Sequence, residues 1–225
     1  MVMQLSDADH GKVSAAIAAA EATSNGEIVA VATPLSDRYH DVALHWALIP
    51  LFAVLAWAAL RPTALVWWYN FLFGGWSPDP TLSQLFTLLM FFAALKFTVA
   101  LLILKWMPLR LMLTPGATKH RRVRRRAVTV FKAAAERRTA GRTGILIYLS
   151  MGERRAEIVA DDAILTVTDE HTWGEAMTAL IAEVREGRPA EGIVAAIERV
   201  GVVLAEHFPR SPEDINEIPD KLIEL

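Results

Sequence analysis

Two apolar stretches, residues 42–60 and 82–104, constrain this chain more than any other feature. The first reads VALHWALIPLFAVLAWAAL, nineteen residues without a formal charge. As a helix it would rise ~28 Å, close to the ~30 Å hydrocarbon core of a bilayer. Pro50 falls mid-span, where a membrane helix accommodates it with a kink. His45, near one end, reads as an interfacial polar residue. The second stretch, LSQLFTLLMFFAALKFTVALLIL, carries one charge, Lys96. A lysine at the centre of a span costs roughly 2.5–3.5 kcal/mol. Neither span contains a carboxylate to pair with it, and its stem is long enough to snorkel toward the nearer surface. Two spans joined by a short segment predict a transmembrane hairpin.

The connecting segment contains Trp67, Trp68, Tyr69 and Trp76, whose amphipathic rings favour the headgroup layer. It is expected to be an interfacial re-entry loop; a lipid-binding platform is the sharper alternative. Charge then sets the orientation. Between Asp41 and Glu136 there is one acidic residue, Asp79, whereas residues 105–126 hold eight Lys and Arg against a single Arg61 in the connecting segment. Cytoplasmic flanks of membrane helices are the ones enriched in Lys and Arg. Both termini are therefore expected in the cytoplasm of a bacterium, with a multi-pass anchor in its inner membrane. No basic segment followed by an apolar core opens the chain, so no cleavable signal peptide is expected. The absence of cysteine excludes disulfides and thiolate metal sites, and suits a reducing compartment.

Removing the hairpin leaves about 160 residues, enough for one compact domain. Its first part is residues 1–41. Ser6 and Asp9 have capping-box spacing ahead of an alanine-rich helix with Val13, Ala16, Ile17 and Ala20 on one face. Asn25-Gly26 stops that helix, and EIVAVAT (27–33) is a strand ended by Pro34. One helix and one strand cannot bury a core, so they must pack on the segment beyond the hairpin, residues 105–208. There, 117–139 reads as a helix with Val123, Ala127, Val130, Phe131 and Ala134 inward and arginine on its other face. Strands are expected at 145–150 and 155–160, separated by a turn. Thr172 to Glu175 is a second capping-box match, opening a helix that Gly187 closes. Pro189 opens the last helix, whose core face is Ile193, Ile197, Val200, Leu204 and Phe208. Residues 209–225 are expected as an extended strap. The strand–helix–strand order implies parallel pairing of the first two strands, and the turn makes the third antiparallel to the second. The expected class is α/β: a small mixed sheet with helices on both faces, interrupted by a two-helix transmembrane hairpin.

Several of these segments together resemble the TPM-domain family. They are Gly26-Glu-Ile-Val-Ala-Val, Thr143-Gly-Ile-Leu-Ile-Tyr-Leu-Ser, Glu153-Arg-Arg-Ala-Glu-Ile-Val, and Arg185-Glu-Gly-Arg-Pro-Ala-Glu-Gly-Ile. The chain is similar in particular to a bacterial subgroup whose domain is interrupted by a membrane hairpin. The resemblance implies an α/β/α sandwich. Some members of the family are described as acid phosphatases, some as calcium-binding, and others act through protein partners. Where the family has a glycine-rich turn after the third strand, this chain reads Ala160-Asp-Asp-Ala163.

The chain carries no P-loop, nucleophile elbow or His-Glu-x-x-His motif, and its six histidines show no ligand spacing. No residue is assigned a catalytic role. Carboxylates at strand ends remain: Asp161 and Asp162 after the third strand, Asp37 and Asp41 after the first, and Asp169-Glu170 before a helix. Asp161, Asp162 and Asp37 are the candidate ligands of a hard cation, calcium or magnesium, which takes oxygen donors from such loops. The plainer reading is that these loops are solvated and that Asp caps helices. Arg121, Arg122, Arg124, Arg125 and Arg126 lie directly after a span, and anionic lipid headgroups, at about 1 kcal/mol per basic residue, are their expected contact rather than nucleic acid. Two functions fit these features. The first is a partner-binding module in membrane or envelope maintenance, working with a protein partner in the membrane. The alternative is a divalent-cation-dependent phosphatase acting on phosphomonoesters.

Overall fold

Helix α1 (Asp7–Glu21) begins at the expected capping box. The Ser6 hydroxyl accepts from the Asp9 N–H at 3.2 Å, and the Asp9 carboxylate accepts from the Ser6 N–H at 3.0 Å. The computed structural model describes residues 5–74, 79–134, 143–168, 170–213 and 216–225. The chain divides into two compact units, Met1–Asp37 with Gly116–Leu225, and Arg38–Pro115. After α1 come β1 (Glu27–Thr33), α2 (His40–Leu60), α3 (Pro62–Phe73), α4 (Leu82–Ile103) and α5 (Met107–Leu113). Then come α6 (Gly116–Ala134), β2 (Gly144–Ser150), β3 (Arg155–Ala160), α7 (Asp162–Leu165), α8 (Glu170–Arg185), α9 (Pro189–His207) and β4 (Leu222–Glu224).

The first unit is built on a four-stranded sheet in the order β3-β2-β1-β4. As expected, β1 and β2 pair in parallel, from Glu27 opposite Gly144 to Thr33 opposite Ser150, and β3 runs antiparallel to β2. β1 and β2 are buried throughout because helices cover both faces. Ile28, Ala30, Ala32, Ile145, Ile147 and Leu149 share one core with residues of α1, α8 and α9. Val29, Val31, Leu146 and Tyr148 alternate onto the other face, against Val123, Ala127 and Phe131 of α6. On the first face α8 and α9 approach so closely that a Cβ on Gly192 would lie 2.7 Å from the Leu180 carbonyl oxygen.

The tail departs from the expected strap. Leu222–Glu224 pairs in parallel with β1, Leu222 opposite Ala30, and so becomes a fourth strand. Its few residues, reached through Pro209, Pro212 and Pro219, leave no alternating run long enough to read as a strand. Helix α8 likewise starts at Glu170, so Thr172 sits inside its first turn rather than at the cap. The expected end of α6 at residues 135–139, Gly141 and Asp169 lie outside the described residues.

In the second unit, α2 continues through Pro50, and α2 packs along α4. Their buried positions include Ala47, Ala58 and Ala93, small residues that let two helix backbones come close. The connecting segment is not an irregular loop. Pro62 at the start of α3 has the fixed φ that a first helical turn needs, and no breaker occurs until Gly74. Trp67 stacks on Phe71, with ring centroids 5.4 Å apart, one turn on along this helix. Trp76 lies outside the described residues. Arg110, one of the basic residues after the second span, is buried: its Nε and Nη2 donate to the Leu104 carbonyl at 2.9 and 2.6 Å and its Nη1 to the Arg38 carbonyl at 2.7 Å.

Candidate functional site

The two parallel strands give the sheet two chemically distinct ends. At their C-terminal end, the Tyr148 side chain comes from a strand whose other residues are apolar or small, and its hydroxyl lies 3.1 Å from the Ser36 hydroxyl. Glu153, in the turn after β2, accepts from the Ser36 N–H at 2.9 Å and from the Ser150 hydroxyl. Burial pushes the Tyr148 phenol up, opposed by hydrogen bonds from Ser36 and Arg126. Gly152 donates its N–H to the Pro34 carbonyl at 2.9 Å, and a Cβ there would fall 2.5 Å from that oxygen. This network locks the segment after β1 onto the β2–β3 turn. A phenol inside an apolar strand was its one sequence signal, since a buried tyrosine hydroxyl must find a partner.

Asp37 belongs to this end, where its carboxylate meets Arg122 at 3.1 Å. Asp161 does not. Its N–H donates to the Gly144 carbonyl at 2.9 Å and its carboxylate accepts from the Gly144 N–H at 3.1 Å, at the opposite end of the strands. The seven-residue length of β1 separates the two ends by about 20 Å. Asp162 is exposed in the first turn of α7. The structure thus places Asp161 and Asp162 side by side but does not bring Asp37 to them. No group of three or more His, Cys, Asp or Glu able to hold a metal occurs among the described residues.

The N-terminal end also holds carboxyls that sequence reasoning missed. Glu21 accepts from the Ile28 N–H at 2.7 Å, and Glu27 accepts from the Glu217 and Ile218 N–H groups at 3.1 and 3.2 Å. Burial pushes the Glu21 carboxyl up to about 9, and the nearby Glu27 and Asp220 add to the shift. These groups fasten the tail beside β1. Glu27, at the start of an apolar strand, carried no signal of that role, because its partners are backbone amides 190 and 191 residues away.

The five arginines of α6 do not act alike. Arg122 reaches Asp37, Arg124 lies 3.6 Å from the buried Glu157, and Arg126 approaches Tyr148. Burial raises the Glu157 carboxyl, opposed by His120 and Arg124. Arg121 and Arg125 are exposed, one turn apart, on the face opposite Val123 and Ala127. In the second unit, only 22% of the apolar window of α2 and 11% of that of α4 is buried. Phe52, Leu60, Phe86 and Met90 are all more than half exposed. Both helices are long and apolar enough to cross a membrane.

A mixed, helix-covered sheet of this order defines an α/β domain. Residues 109–203, from α5 into α9, match the family model described as the TPM domain. The fold is also similar to the NMR structure of BA42 protein from the psychrophilic bacterium Bizionia argentinensis. The two are 17% identical with a TM-score of 0.57, over 99% of this chain and 97% of that one, a likeness of fold alone. No curated protein matches the sequence.

Proposed function

We propose that this chain is an integral protein of the bacterial inner membrane with both termini in the cytoplasm, whose TPM domain binds a protein partner in membrane or envelope maintenance. The observation that carries the reading is the exposure of α2 and α4. A core helix of a soluble protein buries most of its apolar surface, whereas these two leave large side chains uncovered around most of their circumference. In water that surface would drive aggregation; in a bilayer it is the side that meets lipid. Arg121 and Arg125 face away from the sheet and begin within ten residues of the end of the second unit, so anionic headgroups are the ligand within their reach.

Phosphomonoester hydrolysis is less well supported. A two-metal or metal-bridged carboxylate mechanism needs ligands within a few ångströms of one another. Asp37 is instead held by Arg122 at one end of the sheet, and the Asp161 carboxylate by Gly144 at the other.

Reporter fusions test the placement. A periplasm-active reporter should be silent after Leu225 and active when inserted at Asp79; the reverse pattern overturns it. For the partner, affinity purification from detergent should recover the same protein repeatedly, and consistent failure would count against recognition. Hydrolysis of a phosphomonoester between pH 4 and 9 with magnesium or calcium, abolished by Asp161→Ala, would replace this reading with the phosphatase.

A further inference from the structure

Strand β3 lies at the edge of the sheet, and among the described residues no strand pairs with its outer side. Its register fixes which backbone groups face outward. The Asp161 N–H donates to the Gly144 carbonyl, so residues 144 and 161 form a hydrogen-bonded pair. Such pairs alternate along an antiparallel ladder. Ala156 opposite Leu149 and Ile158 opposite Ile147 are therefore of the other kind, and their N–H and C=O groups point away from β2. An open row of this sort is a template for another strand.

A cavity of about 1060 Å³ lies along that edge. On one side α8 lines it with Trp173, Met177, Ile181 and Val184. Lys119 and His120 of α6 line the other side, with Arg154, Arg155 and Arg185 around it. Its two carboxylates are already engaged, Glu157 by His120 at 3.0 Å and Glu153 by Ser36 and Ser150. The Trp173 indole N–H is buried and has no hydrogen-bond partner among the described residues. Orphaned buried donors are rare and costly, and a small rotation of the indole would offer this one to a carbonyl or carboxylate bound in the cavity.

We propose that this cavity receives an extended segment of a partner protein, added as a fifth strand beside β3, in which apolar and acidic side chains alternate. The alternation comes from the walls. Successive side chains of a strand point to opposite faces, here an apolar helix on one side and a cationic one on the other. The six residues of β3 set the length at about 20 Å, or six partner residues. This inference rests on reading the domain as a partner-binding module, and it names the chemistry of the partner.

The test titrates the full chain in detergent with fluorescein-labelled Glu-Val-Glu-Val-Glu-Val amide. Its controls are the corresponding Lys-Val repeat and the acidic peptide N-methylated at every residue. The acidic peptide should bind at least tenfold more tightly than the basic one, and the methylated peptide, stripped of backbone donors, should not bind. Amide exchange at Ala156 and Ile158 should slow on binding, and Trp173→Phe, which keeps a ring but removes the N–H, should weaken binding about fivefold. Equal binding of all three peptides, or unchanged exchange at Ala156 and Ile158, would overturn the proposal without involving any variant that must fold. If one specific partner copurified equally well with wild type and Trp173→Phe while the acidic peptide was ignored, the β3 site would fall and the partner-binding reading would stand. Tight peptide binding by a chain whose reporters show the reverse orientation would do the opposite, sinking the membrane placement and leaving the site.

Discussion

The carboxyl of Glu21, at the end of α1, accepts a 2.7 Å hydrogen bond from the N–H of Ile28, at the start of β1. Burial is the main reason this carboxyl is pushed up to about 9 from its ordinary 4.5. The folded state therefore holds the proton more tightly than the unfolded one. The stabilisation is fully present below about pH 4.5 and is lost as pH climbs toward 9, by up to ~1.4 kcal/mol per unit. Thermal melts in detergent, followed by circular dichroism, should show a falling midpoint from pH 5 to 9. Glu21→Gln, which keeps an acceptor for Ile28 but cannot ionise, should flatten the slope; parallel slopes would contradict this assignment.

Arg110 closes the C-terminal end of α4 by giving three N–H groups to two backbone carbonyls. Arg110→Met would leave those acceptors unpaired at ~1–3 kcal/mol each. Arg110→Lys should recover only part of the loss, because an ammonium lacks the planar fork. Midpoints of thermal unfolding in a single detergent should rank wild type, lysine, methionine.

Two glycines should respond oppositely to alanine. At Gly152 the new methyl would meet the Pro34 carbonyl, a backbone atom that cannot rotate aside, so a loss of about 1–3 kcal/mol is expected. At Gly11, mid-helix in α1, nothing lies within 4 Å, and alanine should gain up to ~1 kcal/mol of helix propensity. Denaturant midpoints of the two variants, compared with wild type, check both signs at once.

Glu27 holds the tail through both carboxylate oxygens. A glutamine there would turn an NH2 group toward a backbone N–H that needs an acceptor. The tail should then open more often, and tryptic cleavage after Lys221 should quicken about tenfold, in line with ~1.4 kcal/mol for one lost charged hydrogen bond. Unchanged cleavage would show that β4 pairing alone retains it.

How much of this was legible in the sequence differs from element to element. The Ser6–Asp9 box, the parallel pair β1–β2, the antiparallel β3 and the inward face of α6 were readable because each depends on local spacing or chain order. Helix α3 was not, since its aromatic run resembles an interfacial segment and only Pro62 marks a helical start. The Thr172 to Glu175 spacing misplaced the start of α8 because one local pattern fits both a cap and a first turn. The separation of Asp37 from Asp161 was implied all along. If β3 runs against β2 and β2 runs with β1, the residue after β3 must sit at the opposite end from the residue after β1. Contacts of the tail with Glu21 and Glu27 are set only by the folded chain.

The position of β1 between β2 and β4 has a consequence for synthesis. β1 is made before either of its neighbours: one begins at Gly144, beyond the second unit, and the other only at Leu222. At ~5–20 residues per second the first neighbour arrives roughly 5–20 s later, and the second some seconds after that. The apolar hairpin is translated within that interval. The sheet therefore cannot be completed until the whole second unit has been made, and the newborn β1 has to be kept from pairing with strangers while its own partners are still being made.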